Sequence, residues 1–200
     1  MLTRVPEGAR RINDIAISGN GEPTSAADFA QVIELIAKLK IELALPEYLK
    51  LVLITNGSQL HRDNVQQGLR RMAQLNGEVW FKLDRASEQG MVRINDTHTT
   101  LDKVRSNLAT AIACCPNTWL QTCWFALDGE VPSMQDESDY LDFLRALSRD
   151  GIVPKGVLLY GIARTSMQPE ASRLSALSFV RMDTFAARIR ELGLVVNVVE

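Results

Sequence analysis

The chain has 200 residues, 46% of them hydrophobic and 23% charged, and 22 Lys and Arg against 24 Asp and Glu give a net charge of −2. This length fits one domain with a sizeable core, and the composition excludes global disorder. The small negative charge argues against a nucleic-acid binder that works by bulk electrostatics. Three cysteines exclude a disulfide scaffold, and the adjacent Cys114 and Cys115 favour a reducing compartment.

The amino terminus, MLTRVPEGARRIND, has no apolar segment of the kind that forms a signal peptide. The chain also has no run of about 18 apolar residues, the minimum for a membrane-spanning helix. We therefore expect a cytoplasmic protein without membrane partners.

Short β-rich runs alternate along the chain with longer amphipathic segments. Apolar residues at steps of three and four predict each helix, and compact apolar runs between turn residues predict each strand. The predicted strands are 14–18, 49–55, 78–84, 118–125, 154–162 and 194–199. The predicted helices are 25–45, 61–75, a helix capped by Thr99 or Thr100, 136–149 and 178–192, whereas 85–96, 126–135 and 164–177 read as loops.

Strands that alternate with helices indicate an α/β fold with a parallel sheet and helical crossovers. No linker or internal boundary divides the chain, so residues 1–200 are predicted to form a single domain. The order fits either a partial (β/α) barrel or an open doubly wound sheet. In both, ligands bind at the carboxyl ends of the strands.

The turn after the first strand, Gly19-Asn20-Gly21-Glu22, has residues that could bind a ligand at that edge of the sheet. Glycines let a ligand approach the backbone closely, and the Glu22 carboxylate can accept hydrogen bonds from an ammonium group. The helix that begins near Ser25 offers free N–H groups to a carboxylate. This turn therefore suits the zwitterionic end of an amino acid, although an ordinary strand–helix turn is the alternative. Neither a dinucleotide fingerprint nor a P-loop is present.

Polar residues also follow the other strands. Lys82 and Asp84 share one strand face, as do Gln121 and Cys123, because side chains alternate across a strand. Buried polar groups of this kind must be paired or face a cavity, although Lys82 and Asp84 could simply meet water at the strand end. Asn56 follows the second strand, and Tyr160 and Arg164 belong to the fifth. The cysteine spacing and two histidines give no metal-ligand set.

Several of these segments, in order, resemble the radical S-adenosylmethionine (radical SAM) proteins. IAISGNGEPTSAADF resembles their second-strand motif in the branch that reads S-G-N-G-E-P-T. LVLITNGSQLHRDNV, VWFKLDRASEQGMVRIN, WLQTCWF, GVLLYGIAR and RIRELGLVVNVV are similar to the later strands of that family. The resemblance covers residues 12–199.

The resemblance implies a partial (β/α) barrel that starts at the family's second strand. It also implies reductive cleavage of S-adenosylmethionine (SAM) to a 5′-deoxyadenosyl radical, driven by a 4Fe-4S cluster and an external electron donor. By similarity, Gly19, Asn20, Gly21 and Glu22 would bind the methionine end of SAM. Asn56, Asp84 and Gln121 would line the SAM pocket, and Tyr160 and Arg164 would contact the substrate.

The chain departs from the family because no C-x-x-x-C-x-x-C cluster loop precedes Arg11. The spacing of Cys114, Cys115 and Cys123 does not replace that loop. We therefore expect a truncated SAM-binding portion that is inactive alone, with the missing strand leaving a sheet edge free for pairing. The alternatives are a non-catalytic module with a degenerate barrel, and an unrelated barrel lyase or isomerase that uses Glu22, Lys82 and Asp84.

Overall fold

The computed structural model describes residues 4–9, 11–19, 21–162 and 169–199. Strands and helices alternate through these ranges as the sequence predicts. The strands are β1 (Asp14–Ile17), β2 (Lys50–Thr55), β3 (Gly77–Lys82), β4 (Thr118–Cys123), β5 (Phe125–Leu127), β6 (Val157–Tyr160), β7 (Leu174–Ala176) and β8 (Val196–Val199). The helices are α1 (Phe29–Glu42), α2 (Asp63–Ala73), α3 (Glu88–Asn95), α4 (Leu101–Cys114), α5 (Met134–Arg149) and α6 (Phe179–Arg190).

Six strands form one parallel sheet in the order β1-β2-β3-β4-β6-β8. Each new strand is added on the same side of the previous one, so the order never reverses. Parallel crossovers are nearly always right-handed, and right-handed crossovers that advance in one direction place all their helices on one face. A doubly wound sheet needs a reversal, and this sheet has none. The α/β fold therefore has the winding of a partial (β/α) barrel.

The core lies between this sheet and its helices. Every second strand residue faces the helices, as in Leu53, Phe81 and Leu120, and each of these is at least 99% buried. Ile33 of α1 and Leu69 of α2 fill the space opposite them and are fully buried. The near-continuous apolar character of the strands follows from this packing.

The other face of the sheet carries the remaining strand residues and is partly open. Trp119 is buried there, whereas Lys82 at the end of β3 is exposed. Near the amino ends of the strands, Glu78 pairs with Lys50 at 2.8 Å and accepts the indole N–H of Trp80 at 3.2 Å. On this face Glu78 is thus paired near the amino ends of the strands, whereas Lys82 is open at the carboxyl end of β3.

Two features differ from the sequence prediction. The segment 85–96, predicted as a polar loop with a helical turn, contains the eight-residue helix α3, which Ser87 caps by accepting the Gly90 N–H at 3.2 Å. Residues Phe125–Leu127, predicted as the end of a strand and the start of a loop, and Leu174–Ala176, predicted within a loop, form a separate antiparallel pair. Pairing of two three-residue segments so distant in sequence leaves no local pattern to detect.

The first helix also begins later than its predicted start at Ser25. Pro23–Ser25 form a short 3-10 turn instead, and Glu22 caps that turn. The regular helix starts at Phe29, the first residue of its buried face. No helix in the described ranges is long and apolar enough to cross a bilayer.

Candidate functional site

A cavity of about 950 Å³ opens at the carboxyl ends of β1, β2 and β3. Ligand pockets typically occupy about 300–1,000 Å³, so the space suits a cofactor-sized molecule. The predicted site residues Gly19, Gly21, Glu22, Asn56 and Asp84 all line it. The remaining lining residues are Ser18, Ile54, Ser58, Phe81, Lys82, Leu83, Met91, Asn95, Thr97, Thr99, Val104 and Asn107.

Glu22 joins the first turn to the end of β2. Its Oε1 accepts hydrogen bonds from the Thr24 backbone N–H at 3.1 Å, the Thr24 hydroxyl at 2.5 Å and the Thr55 hydroxyl at 2.6 Å. Within the described ranges, its Oε2 accepts one hydrogen bond, from the backbone N–H of Asn56 at 2.8 Å. A carboxylate oxygen can accept further bonds, so Oε2 keeps capacity for a donor that enters the cavity.

Gly19 and Gly21 border the same cavity without a special backbone conformation. A Cβ atom added to either glycine would meet no protein atom within 4 Å, and neither has a positive φ. The chain therefore needs no glycine there for its own packing, and the free space is available to a ligand. Gly57 behaves differently, because its φ is +75° and an added Cβ would clash with the Phe81 ring.

Asp84 is 6% exposed, and each oxygen of its carboxylate has a protein partner. Oδ1 accepts the backbone N–H of Cys123 at 2.8 Å, and Oδ2 accepts the Asn95 side-chain amide at 2.7 Å. The acid therefore joins the end of β3 to the end of β4 and to α3. Its remaining lone pairs face the cavity that it lines.

Arg85, the residue after Asp84, is buried and contacts the backbone of Asp84. Its guanidinium lies 4.1 Å from the centre of the Trp124 ring, donates to the Asp84 carbonyl oxygen at 2.7 Å, and approaches Asp136 at 3.8 Å. Only 2% of Arg85 is exposed, and burial lowers the pKa of its guanidinium, against the opposing effect of Asp136. Trp124 is itself stacked on Phe185 of α6, at 4.4 Å between ring centres. The backbone of Asp84 is thus fixed by packed aromatic rings.

Lys82 and Gln121 are register neighbours on the face away from the helices. Lys82 is exposed, lines the cavity, and has no ion-pair partner among the residues that the structure describes. Gln121 is half-buried and is not among the residues that line the cavity, although its register neighbour Lys82 is. The Oε1 atom of Gln121 is buried and has no hydrogen-bond donor within the described ranges.

Tyr160 pairs in register with Cys123 and lies beside it at the carboxyl ends of β6 and β4. Burial, with a smaller contribution from the neighbouring Asp84, raises the pKa of the Cys123 thiol to about 12. Burial likewise raises the pKa of the Tyr160 hydroxyl, next to Cys123 and Asp84. Both groups are therefore neutral near pH 7 and can act only as hydrogen-bonding groups there.

Two predicted residues, Asn20 and Arg164, lie outside the described residues. Sequence analysis missed Asn95 and Asn107, which both line the cavity, and Arg85, which lies behind it. Asn95 and Asn107 are on helices that follow β3, and no motif marks them. Arg85 directly follows the K-L-D motif, and its burial could be inferred only from the aromatic residues that surround it in space.

The described residues do not fit an iron–sulfur cluster. They contain no group of three or more His, Cys, Asp or Glu side chains that could hold a metal ion. Cys114 and Cys115 are buried where α4 ends, before β4, whereas Cys123 is the last residue of β4. The six residues of β4 separate them by about 20 Å, since a strand rises about 3.3 Å per residue. This confirms that the three thiols cannot bind one cluster together.

Comparison with solved structures identifies the fold. The chain is similar to Streptococcus suis SuiB bound to S-adenosylmethionine, with a TM-score of 0.63 and 12% identity over 93% of this chain and 39% of SuiB. It is equally similar to SuiB bound to its precursor peptide SuiA, with a TM-score of 0.63 and 12% identity over 92% of this chain and 37% of SuiB. No protein-family model and no curated protein matches the sequence.

SuiB is a radical SAM enzyme, and identity this low shows a shared fold only. The chain therefore has a radical SAM fold, in agreement with the sequence resemblance. It spans less than two fifths of the length of the SuiB chain.

Proposed function

We propose that this chain is the SAM-binding portion of a radical SAM enzyme. One observation carries the proposal: Gly19, Gly21, Glu22, Asn56 and Asp84, all chosen from motifs, line a single cavity at the carboxyl ends of the strands. These residues come from three different strand ends, so their convergence is a property of the fold. The shared fold with SAM-bound SuiB supports the choice of ligand.

The chain's own groups suit the parts of SAM in chemical terms. Oε2 of Glu22 accepts one hydrogen bond from the part of the chain that the structure describes, so it can receive the methionine ammonium group. Asn56 uses its side-chain oxygen to accept the Ser58 N–H at 2.9 Å, which leaves its NH₂ group to donate to the ligand. The Asp84 carboxylate can accept ribose hydroxyls, and the Lys82 ammonium can bind the methionine carboxylate. Gln121 is assigned no direct contact with SAM.

In radical SAM enzymes an iron–sulfur cluster supplies the electron that cleaves SAM. The described residues contain no ligand set for such a cluster. Under this proposal, the cluster loop comes from residues beyond this sequence, in the same protein or in a partner chain. The electron donor, the Tyr160 and Arg164 substrate contacts and a cytoplasmic location are parts of the same proposal.

Binding of SAM can be measured by NMR titration of the ¹⁵N-labelled chain. We expect amide shifts at Gly21, Asn56 and Gly57, and a loss of these shifts in Glu22→Ala. Glu34→Ala is the matched control, because Glu34 is an exposed acid on α1 that pairs only with Arg71. Absence of shifts at these residues with millimolar SAM would refute SAM binding in this cavity.

A second measurement separates an enzyme from the alternative, a non-catalytic module with the same fold. The chain is produced together with a segment that carries a C-x-x-x-C-x-x-C loop, reconstituted with iron and sulfide, and reduced in the presence of SAM. Formation of 5′-deoxyadenosine is expected for the enzyme. Binding of SAM without any 5′-deoxyadenosine would support the module instead.

A further inference from the structure

A second cavity lies at the end of the sheet opposite the one that contains Glu22. It has a volume of about 630 Å³, within the range of small-molecule sites. Its walls come from the carboxyl-terminal half of α5, the loop that leads into β6 and the loop that leads into β8. The two cavities share no lining residue, so a ligand in the second one occupies a site separate from the proposed SAM site.

The lining of this second cavity is largely apolar. Six of its eleven residues carry apolar side chains: Leu144, Ile152, Val153, Pro154, Leu192 and Leu194. Leu144 and Pro154 are buried, whereas Val153 is 58% exposed. The cavity therefore has a closed apolar base and apolar surface that a ligand can still cover. Removal of that surface from water favours a ligand with an apolar body.

The charged residues of the lining leave one positive charge uncompensated. Asp142 and Arg145 both line the cavity and pair with each other at 2.7 Å. Arg149, one helical turn further along α5, is exposed, and its side chain has no hydrogen-bond or ion-pair partner in the part of the chain that the structure describes. Its guanidinium is therefore available to an anion.

Neighbouring groups do not cancel the charge of Arg149. The acid next to it, Asp150, pairs with Arg105 at 3.0 Å, and Glu191 lies outside the cavity lining. The last turn of α5 has its own donors, because the carbonyl oxygens of residues 146–148 accept backbone N–H groups of residues 150–152. The partial negative charge of a helix end is thus already met by the chain.

A ligand that suits this cavity has an apolar body and one anionic group. A carboxylate neutralises a single guanidinium and can accept two parallel hydrogen bonds from it, and such charge-assisted bonds are roughly twice as strong as neutral ones. The lining comes from three short segments around one concave space, which suits a small molecule better than the extended grooves that bind peptides.

We propose that this cavity binds a small apolar carboxylate, with the hydrocarbon chain against Val153 and Leu194 and the carboxylate on Arg149. The site goes beyond the proposed function, because it lies at the amino ends of β6 and β8, whereas SAM is proposed to bind at the carboxyl ends of β1, β2 and β3.

Octanoate is the probe, and NMR titration of the ¹⁵N-labelled chain is the measurement. We expect octanoate to shift the amide signals of Val153, Gly193 and Leu194, and to leave those of Gly21 and Asn56 unchanged. Octanamide has the same hydrocarbon chain without the charge. It should bind about tenfold more weakly, because a neutral hydrogen bond replaces the charge-assisted one.

Three variants separate the charge from the apolar contact. Arg149→Gln should weaken octanoate binding about tenfold and leave octanamide binding unchanged, because it removes only the charged partner. Val153→Ser should weaken both probes to a similar extent, because it removes apolar surface that both of them cover. Arg181→Gln is the matched control and should behave as the unmodified chain, since Arg181 is an exposed arginine of α6 outside the lining.

Equal affinity for octanoate and octanamide, or an unchanged preference for octanoate in Arg149→Gln, would overturn the carboxylate site. Absence of shifts at Val153, Gly193 and Leu194 with millimolar octanoate would also overturn it. Tighter binding of an apolar peptide with a free carboxyl terminus than of octanoate would assign the cavity to a chain end and contradict the small-molecule site. SAM binding is measured separately, at Gly21 and Asn56, so either proposal can fail without the other.

Discussion

The carboxylate of Asp84 accepts the backbone N–H of Cys123 at 2.8 Å, and this contact joins the residues after β3 to the last residue of β4. The same carboxylate binds Asn95 of α3 through its other oxygen. One acid thus fixes two strand ends and a helix around the cavity. Its loss should change both stability and ligand binding.

Asp84→Ala is expected to lower the free energy of unfolding by about 1–3 kcal/mol, because it leaves the Cys123 N–H and the Asn95 amide without acceptors. Urea denaturation measures the change.

In Asp84→Asn the new amide can face the Asn95 amide as a second donor, so a loss of stability is also expected. The double substitution Asp84→Asn with Asn95→Asp restores a donor–acceptor pair and should recover part of the lost stability. If Asp84→Ala unfolds at the same urea concentration as the unmodified chain, the hydrogen bonds of Asp84 do not stabilise the fold.

Arg85→Met should destabilise the fold by about 1–3 kcal/mol, because it leaves the buried Asp84 carbonyl oxygen without its side-chain donor. Asp136 keeps Arg93 and Ser133 as partners in this variant. Arg85→Lys keeps the charge but loses the flat stacking on Trp124, so it should also be destabilising. Thermal and urea unfolding give both values. The control is Arg145→Met, which removes an exposed pair with Asp142 on α5 and should cost less than about 1 kcal/mol. Equal effects at Arg85 and Arg145 would contradict this account.

Lys82→Met should weaken SAM binding severalfold while leaving the fold intact. Lys82 is exposed and lines the cavity without an ion-pair partner in the described part of the chain, so its charge is available to the methionine carboxylate. The affinity of 5′-methylthioadenosine, which lacks that carboxylate, should not change. Lys38→Met, on the exposed side of α1, serves as the control. Equal weakening of both ligands would show that Lys82 does not contact the carboxylate.

The stability of the chain should fall as the pH rises above about 9. Burial raises the pKa of Cys115 to about 11 and that of Cys123 to about 12, whereas thiols of the unfolded chain have the ordinary value of 9.0. The unfolded state therefore loses these protons first. Their contribution is complete below pH 9 and is lost as the pH rises towards the folded pKa values.

Urea denaturation between pH 8 and pH 10.5 tests this dependence. The free energy of unfolding should decline less steeply with pH in the double variant, Cys115→Ala with Cys123→Ala, than in the unmodified chain. An equally steep decline in the double variant would assign the effect to other groups, such as Tyr140 and Tyr160, whose pKa values are also raised by burial.

An exposed apolar stripe on α1 should make the isolated chain self-associate. Leu35, Leu39 and Leu43 recur every four residues and are 57%, 40% and 63% exposed. They lie on the side of α1 away from its buried residues, and β1 is an edge strand of the described sheet. Exposed apolar patches of this kind promote association.

Replacement of Leu35 and Leu39 by Gln should lower the apparent mass in size-exclusion chromatography with light scattering. Val180→Gln is the control, because Val180 is 74% exposed on α6 at the other end of the sheet. A monomer at all concentrations for the unmodified chain would contradict the prediction.

Local patterns determined most of the fold. Periodic apolar residues predicted the six parallel strands and the helices α1, α2, α4, α5 and α6, because each must bury one face. The rule that ligands bind at the carboxyl ends of parallel strands then selected Glu22, Asn56 and Asp84. Each of these lies within five residues of the end of its strand, so its approximate position is a local property.

Tertiary structure decided the winding of the sheet and the completion of the site. The strand order became known only from hydrogen bonds between strands, because β–α alternation is the same in a barrel and in a doubly wound sheet. Arg85 owes its role to burial by residues distant in sequence, and Gln121, predicted as a pocket residue from its position on β4, is not among the residues that line the cavity. A sequence pattern tells which face of an element is buried, but the spatial arrangement of the elements determines which polar groups meet in one cavity.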